Sequence, residues 1–294
     1  MVWCSGWKLA SAVSNSGGLG IIGAGSMYPD VLRTHIQKCK AHTSFPFAVN
    51  VPLMYPNVEQ IMDIIVEEKV PIVFTSAGNP ARWTSFLKAQ GIIVVHVIAS
   101  TRFALKAQDA GADAVVAEGF EAGGHNGREE TTTFCLIPLV TEAVKIPVIA
   151  AGGIASGKSM LAAFALGAEG IQVGSAFAVA EESSAHAAFK VQIIKAKEGD
   201  TLLRLKKLAP VRLLQNPFSD AVAQAEAQGA GVETLTELLG RGRSKLGMFE
   251  GDLEQGELEI GQVSAMLRQI RPAREILEGI WCEFGIEKEK LIRL

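Results

Sequence analysis

A histidine set inside a glycine-rich loop is the first residue of this chain placed to do chemistry. The loop Gly119-Phe120-Glu121-Ala122-Gly123-Gly124-His125-Asn126-Gly127 follows the apolar run Ala114-Val115-Val116-Ala117-Glu118. Glycine lets backbone come close to a ligand, and an imidazole changes charge near neutral pH. His125 is therefore suited to act as an acid, a base or a hydrogen-bond partner for a developing oxyanion. The other histidines read differently. His96 sits inside the apolar stretch Val94–Ile98 and is expected to be a satisfied strand residue, His35 and His42 fall on or after a surface helix, and His186 is left open.

Two further glycine loops, Ala151-Gly152-Gly153-Ile154 and Gln172-Val173-Gly174-Ser175, each follow a short apolar run. Backbone N–H groups exposed by such loops, with the positive end of the helix after Gly153, suit a phosphorylated cofactor. The stretch from Gly152 to Gly157-Lys158-Ser159 also fits a P-loop spacing. That chemistry needs a later strand ending in a magnesium-binding aspartate, and the next strand ends in Gln172-Val173-Gly174-Ser175, so the P-loop reading is rejected. Asn50, in Val49-Asn50-Val51, puts a side-chain amide where it can meet the edge of a heteroaromatic ring. Thr75-Ser76 occupies the matching place on the next strand, where Ser76 is expected to cap the adjoining helix.

These residues need elements to hold them. Seven strand runs are predicted, at Leu19–Gly23, Phe47–Leu53, Ile72–Ala77, Ile92–Ile98, Ala114–Glu118, Val148–Ala151 and Gly170–Gly174, separated by amphipathic helical stretches. The alternation predicts an α/β fold of the TIM (β/α)8 type, in which ligands bind at the carboxyl ends of the strands and phosphate at the last two. Such a barrel has eight strands, and the chain opens at Met1 almost directly into a helical stretch, Trp7–Asn15. The first strand is thus expected upstream of Met1, with an open doubly wound sheet as the alternative. Residues 1–182 are assigned to the barrel, 183–256 to a smaller inserted α-helical cap, and 257–294 to closing helices over Glu259–Leu267 and Arg274–Phe284.

Composition narrows the function classes. The chain has 294 residues, 48% hydrophobic and 20% charged, with a net charge of −3, which excludes global disorder and gives no field for nonspecific nucleic-acid binding. Cys4, Cys39, Cys135 and Cys282 are scattered, with no disulfide framework or zinc spacing, so no metal is expected. No apolar run reaches membrane-spanning length and no leader pattern is visible, so a cytoplasmic location is expected. A run of cap cations, Arg204, Lys206, Lys207, Arg212, Arg241, Arg243 and Lys245, is read either as a patch that steers an acidic partner or as solvated helix faces.

Taken together, Asn15-Ser16-Gly17-Gly18-Leu19-Gly20, Phe47-Ala48-Val49-Asn50, Ala117-Glu118-Gly119, Glu121-Ala122-Gly123-Gly124-His125, Ala150-Ala151-Gly152-Gly153-Ile154 and Gln172-Val173-Gly174-Ser175 resemble one FMN-dependent family. It unites nitronate monooxygenases with the FabK-type enoyl-[acyl-carrier-protein] reductases. Glu118 resembles the reductase branch, since the nitronate oxidases usually carry glutamine there. Glu182-Ser183-Ser184-Ala185-His186, Lys190, Lys195-Ala196-Lys197 and Gly261-Gln262-Val263 are also similar to that branch.

The resemblance implies FMN contacts at Asn50, Glu118, Gly123, Gly124, Gly152, Gly153, Gln172, Val173, Gly174 and Ser175, with His125 catalytic. It further implies NADH or NADPH as co-substrate and an acyl-carrier-protein or acyl-CoA thioester as substrate, with hydride passing through FMN to the enoyl Cβ. Oxidation of alkyl nitronates with oxygen is the alternative activity. A homodimer is compatible with this reading.

Overall fold

The computed structural model describes residues 1–293, and all seven predicted strands form in it. β1 (Gly20–Gly23), β2 (Phe47–Pro52), β3 (Ile72–Ser76), β4 (Ile93–Ile98), β5 (Ala114–Glu118), β7 (Val148–Ala151) and β8 (Gly170–Gln172) make one parallel sheet in that order. Val49, Val73, Val94, Val115 and Ala150 are fully buried. Strands covered on both faces read as continuous apolar runs, which is why the sequence exposes them. The sheet curls into an α/β barrel of the TIM type, with β1 and β8 as its two unpaired edges among the described residues.

Helices between the strands cover its outside: α1 (Trp7–Asn15), α2 (Pro29–His42), α3 (Val58–Glu67), α4 (Thr84–Ala89), α5 (Thr101–Asp109), α6 (Thr133–Ala143), α7 (Gly157–Ala165) and the short α8 (Ser175–Ala178). α3 buries Val58, Ile61, Met62, Ile64 and Ile65, the spacing that puts one helical face on the sheet. Near the seam between β1 and β8, Ser5 Oγ donates to Ile21 O at 2.5 Å and Gly23 N donates to Ser5 O at 3.0 Å. The amino-terminal turn thus supplies the β1 edge with partners it lacks from the sheet.

The cap departs from the purely helical expectation. It holds α9 (Ala187–Lys195), α10 (Pro217–Ala227) and α11 (Val232–Leu239), but also an antiparallel sheet in the order β6 (Gly124–His125), β10 (Val211–Leu214), β9 (Thr201–Arg204). β9 and β10 are only four residues each, too short for alternation to show above noise. β6 comes from the barrel loop, so the two regions share a sheet.

The expected helix over Glu259–Leu267 is also corrected. Residues 257–261 run extended, with Glu259 bridged to Leu213, and only Gln262–Met266 turns, as a 3-10 helix. Hydrogen bonds from Gly261 N to Ser175 Oγ (3.0 Å) and Gln262 N to Glu121 O (2.9 Å) hold this strap to the barrel and compete with helical bonding. α12 (Ala273–Ile292) then packs along α7.

Two resemblance motifs have structural roles. Glu182 Oε2 accepts the first amide of α12 from Ala273 at 2.9 Å, and the buried Lys190 donates to the carbonyls of Ala180 (2.6 Å), Glu181 (3.3 Å) and Ser183 (2.9 Å).

Candidate active site at the barrel mouth

Parallel pairing brings the predicted site residues to one end of the barrel. Glu118 lies opposite Ala151, and Ala151 opposite Gln172, so β5, β7 and β8 finish in one row. On the other side, Gly23, Asn50 and Phe74 form a second row. Asn50 Nδ2 donates to Phe74 O at 3.1 Å and to Ser76 Oγ at 3.3 Å, which fixes the amide and leaves Oδ1 as its remaining acceptor. Ser76 therefore orients Asn50, in place of the helix-capping role expected from sequence. Thr75 Oγ1 instead meets His96 Nδ1 at 2.7 Å, and burial pushes His96 down to about 4, so it is a neutral core residue as expected.

The glycine loops divide by what makes them glycine. A Cβ on Gly123 would fall 2.4 Å from Ile260 C, and one on Gly152 would fall 2.7 Å from Gly119 O, so both are required by chain packing. Gly153 has φ +68° with its nearest neighbour, Glu121 Oε1, at an ordinary 3.4 Å, and Gly174 faces only Met1 within 4 Å. Gly153 and Gly174 are thus the two that leave room for a ligand. α7 does not add its full N-terminal field, because Gly157 N donates to Glu283 Oε2 at 2.6 Å and Ser159 N to Ser156 Oγ at 3.2 Å. Lys158 is exposed beside Glu287, consistent with rejection of the P-loop.

Whether these residues fit a flavin can be tested on Gln172. Its Oε1 is fully buried and has no hydrogen-bond partner among the described residues, at the end of β8 beside the phosphate-type loop Val173-Gly174-Ser175. An orphaned buried acceptor costs about 1–3 kcal/mol, and a heterocyclic N–H of a bound ligand would remove that cost. The donor set fits FMN: an amide acceptor at Gln172, an oriented amide at Asn50, and backbone around Gly153 and Gly174 for the phosphate.

His125 is exposed, on β6, and pairs with Val211. The loop before it is clamped from the cap. The Arg212 guanidinium, only 2% exposed, donates to Phe120 O (2.9 and 3.2 Å) and Thr201 O (3.3 Å), and lies 4.5 Å from the Phe120 ring centroid. Asn126 Nδ2 donates to Ala122 O (2.9 Å) and Gly124 O (3.0 Å).

Three carboxyls surround this mouth with raised affinity for protons. Burial pushes Glu118 up to about 7. Burial and then Glu259 push Glu257 up to about 8, and burial raises Glu259 against the opposing charges of His125 and the amino terminus.

The cap cations do not form a free basic face. Arg212 is buried, and Arg243 lies 4.8 Å from the Phe218 ring centroid while donating to the carbonyls of Leu239 (3.0 Å), Leu238 (3.2 Å) and Gln255 (2.9 Å). Lys206 pairs with Glu130, and Lys245 pairs with Glu250 at 2.8 Å. Sequence reasoning gave no role of their own to Glu121, Arg212 and Glu259. For Glu259 the only available signal was two glutamates at strand spacing, Glu257 and Glu259, directly before Gly261.

A curled parallel sheet with glycine loops at its last two strands is the arrangement of a phosphate-binding α/β barrel, and the proteins it resembles make the chain an FMN-dependent oxidoreductase. The family profile described as nitronate monooxygenase matches residues 1–67 and 55–283, and the chain belongs to that family. The structure of FabK from Thermotoga maritima is similar with TM-score 0.94 and 44% identity, over 99% of this chain and 92% of that one. The nitroalkane oxidase of Streptomyces ansochromogenes gives TM-score 0.85 and 27% identity, over 99% and 95%. A probable nitronate monooxygenase of Staphylococcus aureus is 33% identical, over 93% of this chain and 89% of its own length.

Proposed function

We propose that this chain is an enoyl-[acyl-carrier-protein] reductase that uses NADH or NADPH to saturate trans-2-enoyl thioesters. The observation that carries the reading is the 44% identity to FabK across 99% of the chain. Glu118, which resembles the reductase branch, supports it. FMN, when bound, supplies the hydride chemistry.

The chain's own residues bind, orient and move a proton. Asn50 and Gln172 orient the ring system, and the backbone at Gly153, Gly174 and Ser175 holds the phosphate. Saturation adds a hydride at Cβ and a proton at Cα, with negative charge building on the thioester oxygen in between. His125 at the cap edge donates to that oxygen or delivers the proton, and the cap shields the acyl chain from water. The substrate is an acyl-carrier-protein or CoA thioester, and its recognition does not rest on a continuous basic face.

The deciding experiment is NAD(P)H oxidation by the flavin-loaded protein with and without crotonyl thioester. Oxidation that depends on the thioester supports the reading. The family match and the Staphylococcus aureus relative favour a second one, oxidation of alkyl nitronates, and oxygen uptake with nitronate but no NAD(P)H turnover would establish that instead.

A further inference from the structure

The edge of β10 opposite β9 carries two segments end to end. Val211 pairs with His125, Arg212 with Gly124 and Leu213 with Glu259, so His125 and Glu259 stand two register positions apart on the same edge. Strand geometry puts such positions about 7 Å apart with side chains on the same face. Between them stands Gly124, with φ +77°, and a Cβ there would lie 2.6 Å from Glu259 Oε2. The carboxylate thus lies over the backbone of the residue that precedes His125.

The segments are brought together by side-chain-free contacts. Gly123 has room for Ile260 and Gly261 only because it lacks a Cβ, and Gln262 N donates to Glu121 O at 2.9 Å. Further bonds, from Gly261 N to Ser175 Oγ and from Leu214 N to Leu258 O, hold Glu257–Gly261 against the barrel and β10 beside the histidine loop. The charged and titratable groups that bear on Glu259 are His125 on β6, Glu257 on its own strap, Tyr55 after β2, and Cys4 with the Met1 ammonium on the amino-terminal turn.

We propose that Glu259 is a positioning residue for His125, its carboxylate supporting the protonated imidazole while that imidazole serves the bound thioester. The inference rests on the reductase reading above. Glu259 touches neither substrate nor flavin in this role; it acts through the histidine.

The test compares wild type, Glu259→Gln and Glu259→Asp, each purified with its flavin and checked for FMN content and melting temperature. In Glu259→Gln, kcat/KM for crotonyl thioester is expected to fall by up to about 10-fold at pH 8. It should approach wild type near pH 6, because the alkaline limb moves to lower pH by about one unit. Glu259→Asp, which keeps the charge, should restore most of the limb.

The imidazole resonances of His125, titrated by NMR with or without flavin, should move with the limb, which makes the test independent of turnover. An unmoved His125 titration in Glu259→Gln overturns the inference, as does a loss of activity equal at all pH values. A moved titration in a protein that never reduces enoyl thioesters keeps the pair and overturns the reductase reading.

Discussion

The Glu121 carboxylate accepts the Thr133 backbone N–H at 2.9 and 3.1 Å and the Thr133 hydroxyl at 2.9 Å, and so ties the histidine loop to the first turn of α6. Thr133 Oγ1 also approaches Gly152 O at 3.0 Å, so the tie reaches the glycine loop after β7. Glu121→Ala would free a helix N-terminus and loosen both loops. It is expected to cost about 1–2 kcal/mol in a urea titration. FMN content, read from the ratio of visible to protein absorbance, should fall with it; full occupancy in a destabilised variant would mean the loops are held by other contacts.

Glu118 makes stability depend on pH in a defined direction. Its folded proton affinity is raised from 4.5 to about 7, chiefly by burial, so the folded state holds the proton more tightly than the unfolded chain. That contribution is complete below pH 4.5 and is lost as pH rises through about 7. Glu118→Gln, measured on flavin-free protein, should be more stable than wild type above pH 7 by about 1–3 kcal/mol and should match it near pH 4. The same difference at both pH values would show that Glu118 is not desolvated.

Gln172 separates the needs of the empty fold from those of the cofactor. Its Oε1 has no partner among the described residues, so Gln172→Leu removes an unsatisfied acceptor. The flavin-free variant is expected to melt at or above the wild-type temperature, a gain of up to about 1 kcal/mol, while FMN affinity falls about tenfold. Calorimetry on apoprotein and a flavin titration check the two signs independently. A drop in both would place Gln172 in the core instead of the site.

His125→Ala distinguishes the two flavin activities. If the imidazole stabilises charge on a thioester oxygen, kcat for enoyl reduction should fall by roughly 10²–10³, and flavin bleaching by NAD(P)H, followed by stopped flow, should stay within several-fold. If the enzyme is a nitronate oxidase, the variant should lose oxidation of neutral nitroalkane and keep that of the preformed nitronate. Oxygen-electrode measurements with both substrates decide between them.

Local pattern was enough to expose the barrel. Strands buried on both faces appear as unbroken apolar runs, and β5 and β7 were bounded to the residue at Ala114–Glu118 and Val148–Ala151. Parallel strands end together, so placing Asn50, Glu118, Gly153 and Gln172 at strand ends also placed them at one mouth. Composition and glycine spacing needed no contact information.

Tertiary structure decided everything that depends on residues far apart in the chain. β9 and β10 are visible as strands only because they pair with each other and β10 pairs with β6, more than 80 residues away, as Arg212 does with Gly124. Glu259–Leu267 carries a helical periodicity, yet bonds to Ser175, Glu121 and Leu213 draw it out into a strap. Arg212 reads as a surface cation until Phe120 and Thr201 bury it, and only the strap brings Glu259 opposite Leu213 on β10. Hydrogen bonds to distant partners outweigh local preference in these places, because a buried polar group must find a partner wherever the fold provides one.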